Sequence, residues 1–198
     1  MITSVLDQLY PKPEIPLKHE NQFTFLIAVM LSAQSTDKKV NQITPKLFAK
    51  ANTPEKMDKL SENEIKTIIR EIGLAPTKAK NIKKTCKQLL EKHNGKIPRN
   101  FDDLEELAGV GHKTASVIMA QAFNVPAFPI DTHIHRLAFR WGLSNGKNVH
   151  TTENDLKAIF HEKDWIRLHL QMIFYGREYC QARKSNCECK ICNFIRNS

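Results

Sequence analysis

The sequence lacks a hydrophobic run long enough to cross a membrane. Its longest apolar stretch, around residues 25–31, is far shorter than the roughly 20 residues that a membrane-spanning helix needs. Residues 1–13 include Asp7 and show no basic start followed by a hydrophobic run, so a secretory signal is not expected. These absences predict a cytoplasmic protein with no membrane partner.

The sequence also lacks strict alternation of apolar and polar residues between hairpin turns, so a β-sheet is not expected. It contains no internal repeat, no low-complexity segment and no linker. The chain has 198 residues, of which 41% are hydrophobic and 26% are charged. These values are typical of a folded protein with one compact domain or two small lobes.

Apolar residues recur instead at the i, i+3, i+4, i+7 spacing of an amphipathic helix. Ser61 with Glu64 and Thr152 with Asp155 have the spacing of a capping box at a helix start. Prolines such as Pro45 are expected between the helices or at their edges. The pattern predicts an all-α fold of about ten short helices. Its two clearest stripes are Ile65, Ile68, Ile69, Ile72 and Ile134, Leu137, Ala138, Trp141.

Positive charge is concentrated in one part of the chain. Residues 66–99 hold ten Lys or Arg and two Glu, and so carry +8 of the formal net charge of +9. A basic face of this density attracts polyanions, of which nucleic acid is the commonest inside a cell. A lysine-rich helix face that only serves solubility would have the same composition.

Two glycines, Gly109 and Gly111, separate a helix expected to end at residues 104–108 from another expected at residues 113–123. Glycines at this spacing permit positive φ and close backbone approach, and the second helix presents free N–H groups at its positive end. Such a turn can bind a phosphodiester through backbone amides, without sequence preference. A plain glycine-terminated helical hairpin is the alternative.

Residues 107–115 (LAGVGHKTA) resemble the helix-hairpin-helix of the endonuclease III family of DNA glycosylases, and residues 130–133 (IDTH) resemble its aspartate segment. Residues 31–37 (LSAQSTD) and 73–79 (GLAPTKA) are similar to two further family segments. The sequence YGR at 175–177 leads into the terminal cysteines as in the family. The resemblance covers nearly the whole chain in order. Two departures are Ala108, where a proline is usual, and His112, where an arginine is usual.

The resemblance implies a two-lobed helix-hairpin-helix glycosylase fold with a C-terminal iron–sulfur cluster loop. One helical lobe is expected at residues 15–125, with the hairpin at about 101–123. The second lobe is expected to combine residues 1–14 with 126–198 and to carry the cysteines at 180–192.

Lys113 and Asp131 are the predicted catalytic residues. A lysine attacks a sugar carbon only as the free amine, and both a helix N-terminus and desolvation disfavour its charged form. Asp131 follows Pro129 at the start of a predicted helix, where its carboxylate can accept backbone amides and remain ionised. A surface lysine paired with a glutamate and an ordinary N-cap aspartate are the alternatives.

The resemblance gives these two residues roles in a bifunctional DNA glycosylase and abasic-site lyase of base-excision repair. Lys113 displaces the damaged base at the C1′ carbon of an extruded nucleotide, and the Schiff base then permits β-elimination. Asp131 stabilises the cationic sugar. The family's usual substrates are oxidised pyrimidines in double-stranded DNA, and abasic sites.

Further positions follow from the resemblance. Gln34 is expected to bond the orphaned partner base and Leu74 to wedge between bases, although both residues are also typical of helix ends. The expected DNA-binding residues are Gln34, Leu74, Gly109, Val110, Gly111, Thr114, Arg183 and Lys184. The expected pocket residues are Ser32, Asp37, Glu105 and His133.

Four of the five cysteines, namely Cys180, Cys187, Cys189 and Cys192, lie within thirteen residues. Disulfides are disfavoured in the cytosol, whereas four thiolates this close can hold a metal centre. The family carries a [4Fe-4S] cluster here, and the sequence keeps the family's first six-residue interval but shortens the other two. A cluster is expected, with zinc as the alternative. Cys86 shares an apolar helix face and is expected to be buried packing.

Two other functions remain open from the sequence. One is a monofunctional glycosylase of the adenine-mismatch type, which would lack a lysine at the position of Lys113. The other is a noncatalytic DNA-binding module with a zinc knuckle. Nothing in the sequence indicates an oligomer, so a monomer is expected, associated with the nucleoid if the source is bacterial.

Overall fold

The computed structural model describes residues 1–183 and 187–197, and these residues form helices without any β-strand. The predicted all-α fold is confirmed. None of the described helices is both long and apolar enough to span a bilayer. The helices are α1 (Ile2–Leu9), α2 (Gln22–Ser32), α3 (Asp37–Lys50), α4 (Pro54–Lys59), α5 (Glu62–Ile68), α6 (Ala75–His93), α7 (Phe101–Glu105), α8 (His112–Phe123), α9 (Thr132–Arg140), α10 (Val149–Ile159), α11 (Trp165–Glu178) and α12 (Lys190–Arg196), with a 3-10 turn at Glu162–Asp164.

The chain divides into two compact units. Pro16–Phe123 form one, which we call the hairpin unit, and Met1–Ile15 with Asn124–Ser198 form the other, which we call the terminal unit. The hairpin unit is therefore inserted into the sequence of the terminal unit.

The core of the hairpin unit is built around α2, whose residues from Phe23 to Leu31 are all buried. This helix contacts α3, α6 and α8. Asn21 caps it by accepting the Thr24 amide at 2.9 Å, and the Thr24 hydroxyl receives the Asn21 amide in return. The longest apolar run of the sequence is thus a core helix covered on several sides.

Two of the sequence-based helix boundaries are wrong. Thr152 does not start a helix, because Asn148 caps α10 by accepting the Thr151 amide at 2.8 Å and Thr152 is buried one turn inside. Pro45 lies inside α3 rather than at its edge. Pro45 is exposed, so the carbonyl that it leaves without a helical donor can be hydrated. The capping box of Ser61 and Glu64 at the start of α5 is confirmed.

The core of the terminal unit lies around α9 and α11, which contact each other closely. The two helices approach closely at Gly176, where an added Cβ would lie 3.1 Å from the Cβ of His133. The N-terminal helix α1 packs on α11, and the Gln171 amide donates to Asp7 Oδ1 at 2.9 Å and to the Tyr10 carbonyl at 2.8 Å. The first helix is therefore an integral part of this unit.

Candidate functional site

Helices α7 and α8 form a hairpin whose turn contains both glycines. Gly109 has φ +80°, and a Cβ there would lie 2.6 Å from Asn81 Nδ2 on α6, so only glycine fits. Gly111 is different, because its φ is outside the left-handed region and an added Cβ would lie more than 4 Å from every described residue other than its two chain neighbours. Positive φ is therefore required at Gly109, whereas Gly111 leaves space for a ligand to approach the backbone.

Side chains of α6 hold this turn from behind. The Thr85 hydroxyl donates to the Ala108 carbonyl at 2.8 Å, and Gln88 Oε1 accepts the Ala108 amide at 2.9 Å. The Gln88 amide nitrogen also donates to the Glu106 carbonyl at 2.9 Å. Because side chains of a long helix bind backbone atoms on both sides of Leu107, the turn is fixed before any ligand arrives.

Lys113 is the second residue of α8, where the first backbone N–H groups have no acceptor within the helix. Its side chain is exposed, so the protein alone does not supply the desolvation expected from the sequence. The preceding residue, His112, contacts Glu105 Oε1 through Nδ1 at 2.8 Å, and both side chains are exposed. Thr114 is half-buried, and Val110 is buried beneath the turn.

Gln34 and Leu74 lie in two turns that contact each other. Both residues are exposed and have left-handed backbone conformations, with φ of 56° and 61°. Between them lies Gly73, where an added Cβ would be 3.4 Å from the Gln34 carbonyl oxygen. Non-glycine residues seldom adopt this conformation, and such strain is common at ligand-binding sites.

The two expected pocket residues near this turn occupy the facing ends of two helices. Ser32 ends α2 and donates to the Val29 carbonyl at 2.8 Å, while Asp37 is the first residue of α3. The hairpin unit therefore holds eight of the expected site residues besides Lys113 and Gln34, which are Ser32, Asp37, Leu74, Glu105, Gly109, Val110, Gly111 and Thr114.

Asp131 belongs to the terminal unit and is buried, with 8% of its surface exposed. Its Oδ1 accepts the Ile134 amide at 2.8 Å, so the predicted N-cap of α9 is confirmed. His133 is half-buried, and this burial is the main reason that its pKa lies below the usual value. The Nδ1 atom of His133 lies 3.3 Å from Nη2 of Arg136.

The four terminal cysteines converge. Their sulfur atoms all lie within 4.8 Å of one another, and those of Cys180 and Cys192 are 3.8 Å apart. Cys180, Cys187 and Cys192 are buried and Cys189 is partly buried. Four thiols this close together can hold a metal ion or a cluster.

Two arginines of α9 bind the segment that carries the cysteines, and the sequence analysis did not predict this role. Arg136 Nη2 donates to the carbonyls of Gly176 at 2.9 Å and Cys180 at 2.8 Å. Arg140 Nη1 donates to Cys180 Sγ at 3.3 Å and to the Gln181 carbonyl at 3.0 Å. Their one-turn spacing on the helix that Asp131 caps is the only sequence signal, and it does not identify the acceptors.

Arg183 is exposed in a turn, and Lys184 lies outside the described residues. Cys86 is fully buried, as expected, and burial raises the pKa of its thiol to about 12.

The basic segment 66–99 is partly neutralised within the hairpin unit. Lys83 is paired with Asp58 at 2.8 Å and Lys92 with Glu106 at 3.1 Å, while Lys78 is buried. Other basic residues of the segment, including Lys80, Lys84 and Arg99, are exposed. The segment therefore keeps a positive charge, but this charge is smaller than the count of basic residues in the sequence indicates.

The chain that carries this hairpin, this aspartate-capped helix and this cysteine loop matches a known class of protein. Residues 27–162 match the family described as HhH-GPD superfamily base excision DNA repair protein. The matched residues include the hairpin, Lys113 and Asp131.

Within this class, the chain is 44% identical to endonuclease III of Haemophilus influenzae, over 94% of this chain and 88% of the relative. A solved structure of a trapped covalent intermediate of endonuclease III with DNA superposes with a TM-score of 0.89 at 38% identity, covering 98% of this chain and 94% of that one. A non-covalent endonuclease III–DNA complex gives 0.90 at 38% identity, with 100% and 96% covered. The chain belongs to the endonuclease III family.

Proposed function

We propose that this protein is a bifunctional DNA glycosylase and abasic-site lyase that removes oxidised pyrimidines in base-excision repair, with Lys113 as its nucleophile. The carrying observation is the placement of Lys113, exposed in the first turn of α8 beside a glycine turn that α6 holds in place. A related endonuclease III has been trapped in a covalent complex with DNA, which supports a protein nucleophile. Since a bacterial chromosome lies in the cytoplasm, we expect the protein to act there.

The proposed reaction begins when the neutral Lys113 amine attacks C1′ of the damaged nucleotide. The bond between C1′ and the base breaks, and the base leaves with the bonding electrons and gains a proton. Opening of the sugar ring yields a Schiff base between Lys113 and C1′. Loss of a C2′ proton then breaks the C3′–oxygen bond and releases the 3′ phosphate, and water hydrolyses the imine.

In this reaction Asp131 supplies negative charge. A sugar that loses its base develops positive charge at C1′ and the ring oxygen, which a nearby carboxylate stabilises. The Asp131 side chain is fixed by the bond to the Ile134 amide, so its position does not depend on the substrate. We assign His133, Ser32, Asp37 and Glu105 to contacts with the extruded nucleotide.

The target base must leave the DNA double helix before it can react. A leucine on an exposed, left-handed turn can enter the stack, and 54% of the Leu74 surface is exposed. The Gln34 amide can then bond the base left without a partner. Because the turns of these residues contact each other through Gly73, the two insertions are expected to occur together.

The hairpin would hold the DNA backbone. Amides of the turn and of the first residues of α8 can bind a phosphate without reading sequence, with Gly109, Val110, Gly111 and Thr114 as the contacting positions. We assign Arg183 and Lys184, which lie in the sequence between Cys180 and Cys187, to a second phosphate contact.

Gly111→Val should weaken binding to damaged and undamaged duplexes alike, by about 10- to 100-fold for the loss of one or two charge-assisted hydrogen bonds. The fold should be intact, because the added atoms enter open space rather than protein. Binding measured by fluorescence anisotropy on matched duplexes tests this, with Gly111→Ala as the smaller control. A defect confined to damaged DNA would show that this turn reads the lesion.

We propose that the four terminal cysteines hold a [4Fe-4S] cluster, as the family resemblance implies, and that this cluster fixes the loop with Arg183. The convergence of four thiols supports a metal centre of either kind. A single tetrahedral zinc ion would place sulfurs about 3.8 Å apart, given a zinc–sulfur bond of about 2.3 Å, so zinc is the competing occupant.

Anaerobically purified protein should be brown and contain close to four iron and four sulfide per chain. Cys189→Ala should lose both, whereas Cys86→Ala, at a buried cysteine of the other unit, should keep both. Iron, sulfide and zinc assays of the same samples decide the matter. Colourless protein with one zinc per chain would show that the cysteines hold zinc rather than a cluster. That result would not contradict the proposed role of Lys113.

The alternative functions predict different products on DNA. A monofunctional glycosylase releases the base but forms no imine, and a binding module releases nothing. Incubation with abasic DNA and borohydride identifies the lyase, because only a lysine nucleophile gives a reducible covalent adduct, and base release from damaged DNA then separates the other two functions. If the protein forms no adduct and releases no base, it is a noncatalytic DNA-binding module.

A further inference from the structure

Lys78 on α6 is a lysine that the proposed chemistry does not use. Only 7% of its surface is exposed, although it lies in the most basic segment of the chain. Its Nζ donates to the carbonyls of Leu31 at 2.8 Å and Ala33 at 2.5 Å. Burial lowers the pKa of this ammonium group. A lysine seldom gives up hydration in this way without a specific partner.

The partners of Lys78 are the last carbonyls of α2. The carbonyls at the end of a helix have no donor within it and carry the negative end of the helix dipole, which a cation stabilises. Ala33 is the C-cap of α2, and the next residue is Gln34, with φ 56°. The ammonium group therefore binds the backbone one residue before the strained turn.

The turn of Gln34 is also contacted by the residues that precede α6. Gly73 packs against the Gln34 carbonyl, and Leu74 follows as the residue that precedes α6, the helix that carries Lys78. Lys78 therefore joins the turn of Gln34 to the helix that begins just after Leu74.

We propose that Lys78 is a positioning residue that holds Gln34 in its left-handed conformation, ready to bond the orphaned base when the damaged nucleotide leaves the duplex. This rests on the role of Gln34 in the proposed function. Direct binding of Lys78 to a DNA phosphate is disfavoured, because its ammonium group is buried against two carbonyls. Without the ammonium group, the turn relaxes toward right-handed or extended conformations, in which the Gln34 amide no longer points to the same place.

A double-mutant cycle tests this inference with Lys78→Met, Gln34→Ala and the double variant. Lys78→Met should lower kcat/KM for an oxidised pyrimidine in a duplex by about 10- to 100-fold, because Gln34, a group that positions the substrate, is misplaced. Cleavage of an abasic site in single-stranded DNA, where no base is orphaned, should change little. In the Gln34→Ala background, Lys78→Met should cost no more than about twofold further.

Lys80→Met is the matched control, because it removes the same charge from an exposed position of α6. The salt dependence of DNA binding gives a second comparison, since loss of a phosphate contact reduces the slope of log K against log salt by about 1. Lys78→Met should leave that slope unchanged. If Lys78→Met does not fold, Lys78→Gln takes its place in the cycle, since it keeps a donor without the charge.

Three results would overturn the inference. If the fold-reductions in kcat/KM from Lys78→Met and Gln34→Ala multiply in the double variant, Lys78 does not act through Gln34. If Lys78→Met lowers activity equally on duplex and single-stranded substrates, Lys78 only supports the fold in general. If Gln34→Ala retains full activity on the duplex substrate, Gln34 does not have the role that Lys78 is proposed to support. Failure of the proposed function itself is distinguishable, because the native protein would then form no borohydride adduct.

Discussion

Lys113→Gln should abolish both strand cleavage at abasic sites and covalent trapping by borohydride, with a rate loss of at least about 1,000-fold. The amide of glutamine is not nucleophilic and cannot form an imine. Damaged DNA should still bind, because the backbone amides of the turn are unchanged and Thr85 and Gln88 still hold it. Gel analysis of cleaved and trapped DNA gives the first result, and anisotropy gives the second.

The matched control is Lys96→Gln, which removes one exposed lysine from the same unit. It should retain cleavage and trapping, and lose only a modest electrostatic contribution to binding. Substantial lyase activity in Lys113→Gln would remove Lys113 from the nucleophile role. Loss of binding together with activity would instead point to a damaged hairpin, which thermal unfolding of the variant would reveal.

Asp131→Asn should slow release of the damaged base by about 100- to 10,000-fold, the usual range for a carboxylate that assists charge or proton transfer. The asparagine oxygen can still accept the Ile134 amide and cap α9, so the fold should be retained. The variant therefore separates the charge of this side chain from its capping bond. Single-turnover base release and thermal unfolding are the two measurements.

Asp131→Ala completes the comparison, because it removes both charge and cap. Its unfolding free energy should fall by about 1 kcal/mol, while Asp131→Asn should unfold as the native protein does. If Asp131→Asn releases damaged bases at the native rate, the carboxylate is a structural cap only.

Local patterns in the sequence predicted much of what the structure contains. The stripe from Ile134 to Trp141 became α9, and Asp131 caps it. The capping box of Ser61 became the start of α5, and four cysteines within thirteen residues did converge. These features depend on residues a few positions apart, where helix geometry and side-chain chemistry decide the outcome.

The contacts that the sequence did not predict join residues far apart in the chain. Lys78 is buried because the end of α2 supplies two carbonyls, from residues more than forty positions away. Arg140 meets the Cys180 sulfur across a similar separation. Pro45 is tolerated inside α3 because packing of its neighbours Ile43 and Leu47 outweighs a local helix-breaking tendency. The contacts of Lys78 and Arg140 have no signature in the spacing of neighbouring residues.

The packing of α1 on α11 has a consequence for synthesis on the ribosome. All of Pro16–Phe123 emerges in one continuous stretch, whereas α1 must wait for α11, which is made roughly 8 to 30 seconds later at about 5–20 residues per second. During that interval the apolar side chains of Val5 and Leu6, buried in the finished protein, have no native partner helix. The hairpin unit can therefore form its core before α1 meets the helix that covers its apolar side chains.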